Sequence, residues 1–444
     1  MSSKNTYMAN GFDPSTLDSL DPEMRAMVER RSRVLAPSYR LFYREPVEFV
    51  RGSGVRLFDS HGRSYLDVYN NVPAVGHANP RVTQAVCEQM SRLNTHTRYV
   101  TLPIIEYSER LIGLFPEEIG QVIYACTGSE AVDLALRIAK YETGRGGVIV
   151  TRHAYHGTTT EAATISPSLG PHRPTAGWVR YVDAPDTSVE GADAGRLFAD
   201  RVRQTIDGLE SDGTGFAAFI ADSIFSSDGL QADPAGFLKP VVDVVHAAGG
   251  LYLADEVQPG FGRTGDAWWG FLRHGILPDL VILGKPMGNG MPISAVVGRP
   301  EVLERFGNDM RYFNTFGGNS VCIAAANAVL DVIEDGNLLE NIRRLGGLLG
   351  TGLRGIARDY PMLSEVRGCG LFYGVDVVTG PGSQAADKDG AERIVNALRQ
   401  RRVLISSSGR EDNVLKIRPP LVFSDADLEE FLGSLRSVME DLHG

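Results

Sequence analysis

Lys285 stands in VILGKPMGNGMPIS (281–294), where an apolar run breaks into proline, glycine and asparagine. Only six of the 44 basic side chains are lysines, so an amine at an apolar strand end points to chemistry rather than to charge. Four other stretches end apolar runs in a compatible way. CTGSEAVDLALRIA (126–139) turns through Thr127, Gly128 and Ser129 into an amphipathic helix, whose free N–H groups and positive dipole end suit a phosphate. HAYHGTT (153–159) offers Tyr155 and His156 in a loop, able to stack on a planar ligand. LYLADEVQPGFGRTG (251–265) places Asp255 and Glu256 directly after a buried strand, where a carboxylate is costly unless a cation or strong donor meets it. YFNTFGGNS (312–320) sets Thr315 and two glycines before a long helix, a second phosphate-friendly start.

Each stretch has a plain structural reading beside the functional one. Ser129 can be an ordinary helix cap, and Ser129 to Val132 makes no capping box. The 153–159 loop can be a packed turn, and Asp255 or Glu256 can pair with Arg263. Together, however, the five stretches ask for one ligand with a phosphate, a flat ring, a basic ring nitrogen and an electrophile for lysine. Pyridoxal 5'-phosphate meets all four demands.

The elements that must position these residues follow from periodicity. Residues 21–35 read as a helix capped by an aspartate, and 47–71 as a meander of short antiparallel strands turning at Gly52–Gly54 and His61–Gly62. From about residue 79, helices alternate with short apolar strands at 121–126, 147–151, 217–221, 251–255, 279–283 and 292–298. Helices are predicted at 129–142 and 234–248. That rhythm predicts an α/β fold with a mainly parallel sheet covered by helices, whose ligands sit at the carboxyl ends of the strands. A long helical stretch, about 319–350, leads to a smaller α+β unit with strands in 370–378, 403–406 and 414–418 and helices at 391–402 and 425–441. The expected division is 1–78 (arm and meander, packing with the small domain), 79–330 (large domain) and 331–444 (small domain).

The bulk composition excludes several classes. An apolar fraction of 43% and charged fraction of 22% are those of an ordinary globular protein. A net charge of −11 without a basic block argues against nucleic acid or an anionic membrane surface as partner. The polar opening MSSKNTYMANGFDPSTLDS lacks the apolar core of a signal peptide, and no apolar run is of membrane-spanning length. Cys87, Cys126, Cys322 and Cys369 are widely spaced, reading as reduced core residues of a cytoplasmic protein with no metal cluster. No GxGxxG with an acid about 20 residues on supports a dinucleotide fold.

The chain resembles the class-III (ω-type) aminotransferases of the pyridoxal-phosphate fold-type I superfamily over nearly its whole length. DEVQPGFGRTG, its spacing to Lys285 and the later TFGGN carry the likeness. The resemblance implies a seven-stranded large-domain sheet and a homodimer. Lys285 would form the Schiff base and shuttle protons, and Asp255 would keep the ring nitrogen protonated. Thr127, Gly128 and Ser129 would hold the phosphate, with Thr315 reaching the cofactor of the other subunit. Tyr155 would stack on one ring face, Val257 would pack on the other, and Gln258 would lie near the ring hydroxyl. His156 and Asp222 would also stand near the cofactor, and Glu256 would belong to the surrounding structure.

Departures from the common pattern narrow the branch. FIADSIFSSDG (219–229) has Asp222-Ser223 where many members carry Val-Glu-Pro, and Lys416 in NVLKIRPPLVF (413–423) matches a substrate-binding arginine of others. These features, with SYRLFYREPV, NNVPAVGHANP, LNTHTRY and GKPMGNG, are similar to the branch of ethanolamine-phosphate phospho-lyases and alanine–glyoxylate aminotransferase relatives. The expected activity is elimination of phosphate and ammonia from a small phosphorylated amine such as O-phosphoethanolamine, giving an aldehyde. The alternative is amino transfer to a keto acid, and a lesser one is a regulatory protein without catalysis. Candidate substrate contacts are Arg98, Tyr99, Lys416 and Arg418, with Ser406–Ser408 and Arg410 as a further set.

Overall fold

The computed structural model describes residue 8 and residues 10–443. Residues 1–7 and 9 of the opening segment on which the signal-peptide reading rests lie outside them. The meander is formed by β1 (Phe49–Ser53), β2 (Arg56–Asp59) and β3 (Ser64–Asp67), paired antiparallel, after a helix at Pro22–Val34 whose cap is Asp21.

The large sheet has seven strands: β4 (Gln121–Ala125), β5 (Gly147–Thr151), β6 (Val179–Val182), β7 (Phe216–Asp222), β8 (Leu251–Asp255), β9 (Leu280–Leu283) and β10 (Ser294–Gly298). Their spatial order is β4-β10-β9-β8-β7-β5-β6. The run from β9 to β6 is parallel, whereas β10 is antiparallel to both β9 and β4. Strands such as GVIVT and LVIL are buried along their whole length, as a sheet covered on both faces requires. Among the covering helices, Gly128–Thr143 buries Ala131, Val132, Ala135, Leu136, Ile138 and Ala139 against it.

The chain leaves β5 toward β6 on one side, then returns to place β7, β8 and β9 on the other. The strand order therefore switches between β5 and β7. Open α/β sheets bind ligands outside the carboxyl ends at such a point.

The C-terminal sheet is β11 (Leu363–Cys369), β12 (Phe372–Val377), β14 (Ser406–Ser408) and β15 (Val414–Ile417), in the order β11-β12-β15-β14. The short β13 (Val403–Leu404) instead joins the meander, parallel to β3, so the N-terminal strands pack with the C-terminal unit.

Several sequence expectations need correction. The predicted 319–350 helix is two helices, Ser320–Asp335 and Leu338–Asp359, broken at Asn337, whose φ is 45°. The predicted helix at 234–248 starts only at Lys239, because Gly236 at φ 88° cannot continue a right-handed helix. Strands β6 and β11 were not foreseen. Cys87 is exposed and Cys126 half-buried, so only Cys322 and Cys369 are core residues; all four are free.

Candidate active site

Nine of the residues singled out by sequence meet at the switch point. Gly128, Ser129, Tyr155, His156, Asp222, Asp255, Val257, Gln258 and Lys285, with Gly157, line one cavity of about 210 Å³.

The wall near Gly128 is set by a helix start. The cap is Thr127 rather than Ser129: its hydroxyl accepts from Glu130 N–H at 3.2 Å, and the Glu130 carboxylate takes the N–H groups of Thr127 and Cys126. This reciprocal capping box corrects the plain-cap reading and leaves the Ser129 side chain uninvolved in the cap. Ser129 Oγ instead accepts from Thr158 N–H at 3.0 Å. Gly157 makes that approach possible. It has φ 144°, and a Cβ there would lie 2.4 Å from Ser129 Oγ and 2.8 Å from Ser129 Cα.

Asp255 ends β8 and is buried. Its Oδ1 accepts from Val257 N–H at 3.1 Å, and its Oδ2 lies 2.6 Å from His156 Nδ1. Because a carboxylate accepts, Nδ1 carries the proton of that bond. His156 is held in turn by its own N–H donating to Ser166 Oγ at 2.8 Å. His156 Nε2 is buried without a hydrogen-bond partner, an orphan that marks space for a polar group. Glu256 points away from the cavity and is fully buried. It accepts from Ser223 Oγ (2.6 Å), Gly270 N–H (2.7 Å) and Phe271 N–H (2.8 Å), so it ties the strand end to the 270–274 turn. Burial pushes its carboxyl up to about 7. Arg263 pairs with neither acid: it is buried against the carbonyls of Leu371 and Pro419 and against Asn71 Oδ1.

Lys285 follows β9 with Nζ 6.0 Å from the centre of the Tyr155 ring. Burial, then the nearby Arg418 guanidinium, lower its pKa below the ordinary lysine value, which favours the neutral, nucleophilic amine.

Asp222 ends β7 directly beside Asp255 in the sheet register. Its carboxylate accepts from Ile224 N–H (3.0 Å), Ser226 N–H (3.1 Å) and Ser226 Oγ. Burial raises its pKa. Ser226 Oγ also accepts from Gln258 Nε2 at 2.5 Å, and Gln258 Oε1 accepts from Arg418 Nη1. Lys416 and Arg418, two residues apart, both approach the Phe372 ring, at 5.4 and 5.2 Å. Lys416 Nζ is buried and donates to Ser226 O at 3.4 Å. Burial drives its pKa well below that of an exposed lysine. Ser226, Ser166 and Gly157 were not singled out by sequence; only the Gly in HAYHGTT signalled any of them.

Thr127, Thr315, Arg98, Tyr99, Lys416 and Arg418 are not among the residues lining this cavity, although Arg418 bonds the lining residue Gln258. Thr315 is exposed, Arg98 lies over Phe313 (3.7 Å) and Tyr99 stacks on His96 (5.0 Å). Ser406 Oγ bonds Asn10 Oδ1 at 2.6 Å, and Arg410 pairs with Glu411 at 3.5 Å.

A seven-stranded α/β sheet with a lysine, a buried aspartate and a glycine-lined helix start at its switch point defines a pyridoxal-phosphate-dependent enzyme of fold type I. The profile of the family "Aminotransferase class-III" matches residues 42–439, and the chain belongs to that family. It is 38% identical over 428 residues to an "Alanine--glyoxylate aminotransferase 2-like" protein of Drosophila melanogaster, covering 93% of this chain and 86% of that one. It is 34% identical over 434 residues to "Ethanolamine-phosphate phospho-lyase homolog 1" of Caenorhabditis elegans, covering 93% of each. Among solved structures, a phospholyase from Arthrobacter in complex with phosphoethanolamine superposes with a TM-score of 0.90 at 42% identity, covering 93% of this chain and 99% of that one.

The residues present fit the cofactor: the crowded Gly157–Ser129 approach, the orphan His156 Nε2 and the lysine facing an aromatic ring belong to one cavity. Among the described residues no helix is long and apolar enough to cross a membrane.

Proposed function

We propose that this enzyme is a phospho-lyase that removes phosphate from a small phosphorylated amine such as O-phosphoethanolamine. The observation that carries the reading is Lys416. Its buried amine makes one long hydrogen bond, to a carbonyl, beside the buried Arg418 guanidinium, and burial disfavours its charged form until an anion meets it. A buried cation is costly without an anion, and a dianionic phosphate is the anion such a pair accommodates.

Bound pyridoxal phosphate supplies an aldehyde that condenses with the substrate amine and a ring that accepts the electron pair left when the adjacent carbon loses its proton. Gly128 and Ser129 hold the cofactor phosphate. Asp255, fixed by His156 and Val257 N–H, would meet the ring nitrogen, and Tyr155, Val257 and Gln258 would hold the ring. Lys285 Nζ takes the proton from the carbon next to nitrogen. Lys416 and Arg418 orient the phosphate on the next carbon and take up the charge that grows as its C–O bond breaks. In sum, phosphoethanolamine and water give acetaldehyde, ammonia and phosphate, with no oxidant or keto acid.

A second reading, amino transfer to a keto acid, draws on the same lysine and on the name of the Drosophila relative. Turnover of O-phosphoethanolamine without any keto acid separates the two: phosphate release supports the lyase, and amino transfer without phosphate release supports the aminotransferase.

The homodimer belongs to the same proposal. Around Thr315 the surface exposes Val100 (92%), Phe316 (68%) and Tyr99 (64%), and His96 and Arg98 pack on Phe313. A second copy covering this apolar face would bring Thr315 to the neighbouring cofactor phosphate and Arg98 and Tyr99 toward the neighbouring substrate. Division at about residues 78 and 330 and a cytoplasmic setting, which the four free cysteines suit, complete the reading.

A further inference from the structure

Asp228 stands in the loop after β7, and the chemistry above makes no use of it. Its Oδ2 accepts from Thr151 Oγ1 at 2.7 Å and its Oδ1 from His153 N–H at 3.2 Å. Both donors belong to a different strand end. Thr151 is the last residue of β5, and His153 stands two residues before Tyr155.

The loop that carries Asp228 is backbone-strained. Phe225 (φ 50°) and Leu230 (φ 66°) are left-handed without being glycine, a conformation that costs about 1–2 kcal/mol per residue. Such a loop persists only when contacts from outside over-determine it. On the small-domain side, Arg367 donates to Gly229 O (3.0 Å) and Leu230 O (3.2 Å), and Lys416 to Ser226 O. Asp222 caps its start. Asp228 supplies the remaining direction, toward the loop that carries Tyr155 and His156.

As a mere turn former, Asp228 would bond within its own loop. Both its side-chain acceptors are instead spent more than 70 residues away in sequence.

We propose that Asp228 is a positioning residue, bridging the substrate-side loop 223–230 to the cofactor-side loop 152–157 and fixing the Tyr155–His156 pair relative to Ser226. The bridge acts through β5 and its following turn; Asp228 itself touches neither substrate nor cofactor. The proposal is independent of whether the loaded enzyme eliminates phosphate or transfers an amine.

The test uses Asp228→Ala, Asp228→Asn and Thr151→Val, none of which needs a substrate. In the protein without cofactor, amide hydrogen exchange across 152–157 is expected to accelerate about tenfold in Asp228→Ala, with β7 and β8 unchanged. Thr151→Val, which removes only one donor at nearly constant volume, is expected to accelerate it about threefold. Affinity for pyridoxal phosphate should fall in the same order, and Asp228→Asn, which keeps an acceptor, should recover part of it. Exchange at 152–157 and cofactor affinity within twofold of wild type in the folded variants would overturn the proposal. So would a uniform rise in exchange over the whole sheet. Should Asp228→Ala fail to fold, Thr151→Val and Asp228→Asn decide the matter.

Discussion

Asp222 and Asp255 leave adjacent parallel strands as register partners, yet their carboxylates are held by different groups. Asp255 meets an imidazole Nδ1 and one backbone N–H, whereas Asp222 meets two backbone N–H groups and the Ser226 hydroxyl. Two acids side by side in a buried sheet thus line one cavity with different partners.

For Asp255 the expected change is in catalysis. Asp255→Asn keeps the size of the group but removes the charge proposed to meet the ring nitrogen. Its kcat should fall about 10²–10³-fold, the usual loss for one preorganised electrostatic contact. Steady-state kinetics of the reconstituted variant would check this, and a kcat within a few-fold of wild type would refute the assigned role.

Lys416 should trade stability for affinity. Lys416→Met removes a buried, poorly bonded amine, so the cofactor-free protein should be as stable as wild type or more so. The KM for O-phosphoethanolamine should rise about 10–100-fold, from the roughly 1.5–3 kcal/mol of a charged hydrogen bond. An unchanged KM with a lowered melting temperature would make Lys416 purely structural.

Gly157 should tolerate no side chain. Gly157→Ala places a Cβ 2.4 Å from Ser129 Oγ at a left-handed φ, so the 157–158 turn and the start of the helix at Gly128 must separate. Fluorescence titration with pyridoxal phosphate should show affinity at least tenfold weaker, and wild-type affinity would contradict the crowded cradle.

His274 predicts acid sensitivity. Its Nδ1 accepts from Gly236 N–H (3.2 Å) and its Nε2 donates to Ser223 O (2.8 Å), so the fold holds the neutral ring. Burial lowers its pKa from 6.5 to about 4. The unfolded chain therefore binds the proton first, and stability present above pH 6.5 is lost as pH falls toward 4. The loss is about 3 kcal/mol, at about 1.4 kcal/mol per tenfold change in proton affinity. Melting temperatures from pH 7 to 4 should fall more steeply for wild type than for His274→Gln; parallel curves would be the contrary result.

Lys285, Asp255 and the Gly128 turn were legible because an amine, an acid and a glycine at strand ends are expensive and therefore informative. Other features were not. The antiparallel sense of β10 is invisible because parallel and antiparallel strands share a period of two. A serine before an apolar run suits a cap, the plain alternative for Ser129; Thr127 with Glu130 three residues on is the better match. The Asp255–His156 and Arg418–Gln258 bonds join residues 99 and 160 positions apart, and no local pattern encodes such pairs. Ser226 joins Asp222, Gln258 and Lys416, yet as an isolated loop serine it carries no sequence signal.

The most direct test is the stoichiometry of repeated turnover. The enzyme loaded with pyridoxal phosphate would be incubated with excess O-phosphoethanolamine and no keto acid, and phosphate, acetaldehyde and ammonia would be counted per active site. Equal amounts of all three, rising far beyond one per site and absent in Lys285→Ala, are the predicted result. A reaction that halts after one amine per site without phosphate, and resumes only when a keto acid is added, would contradict the lyase.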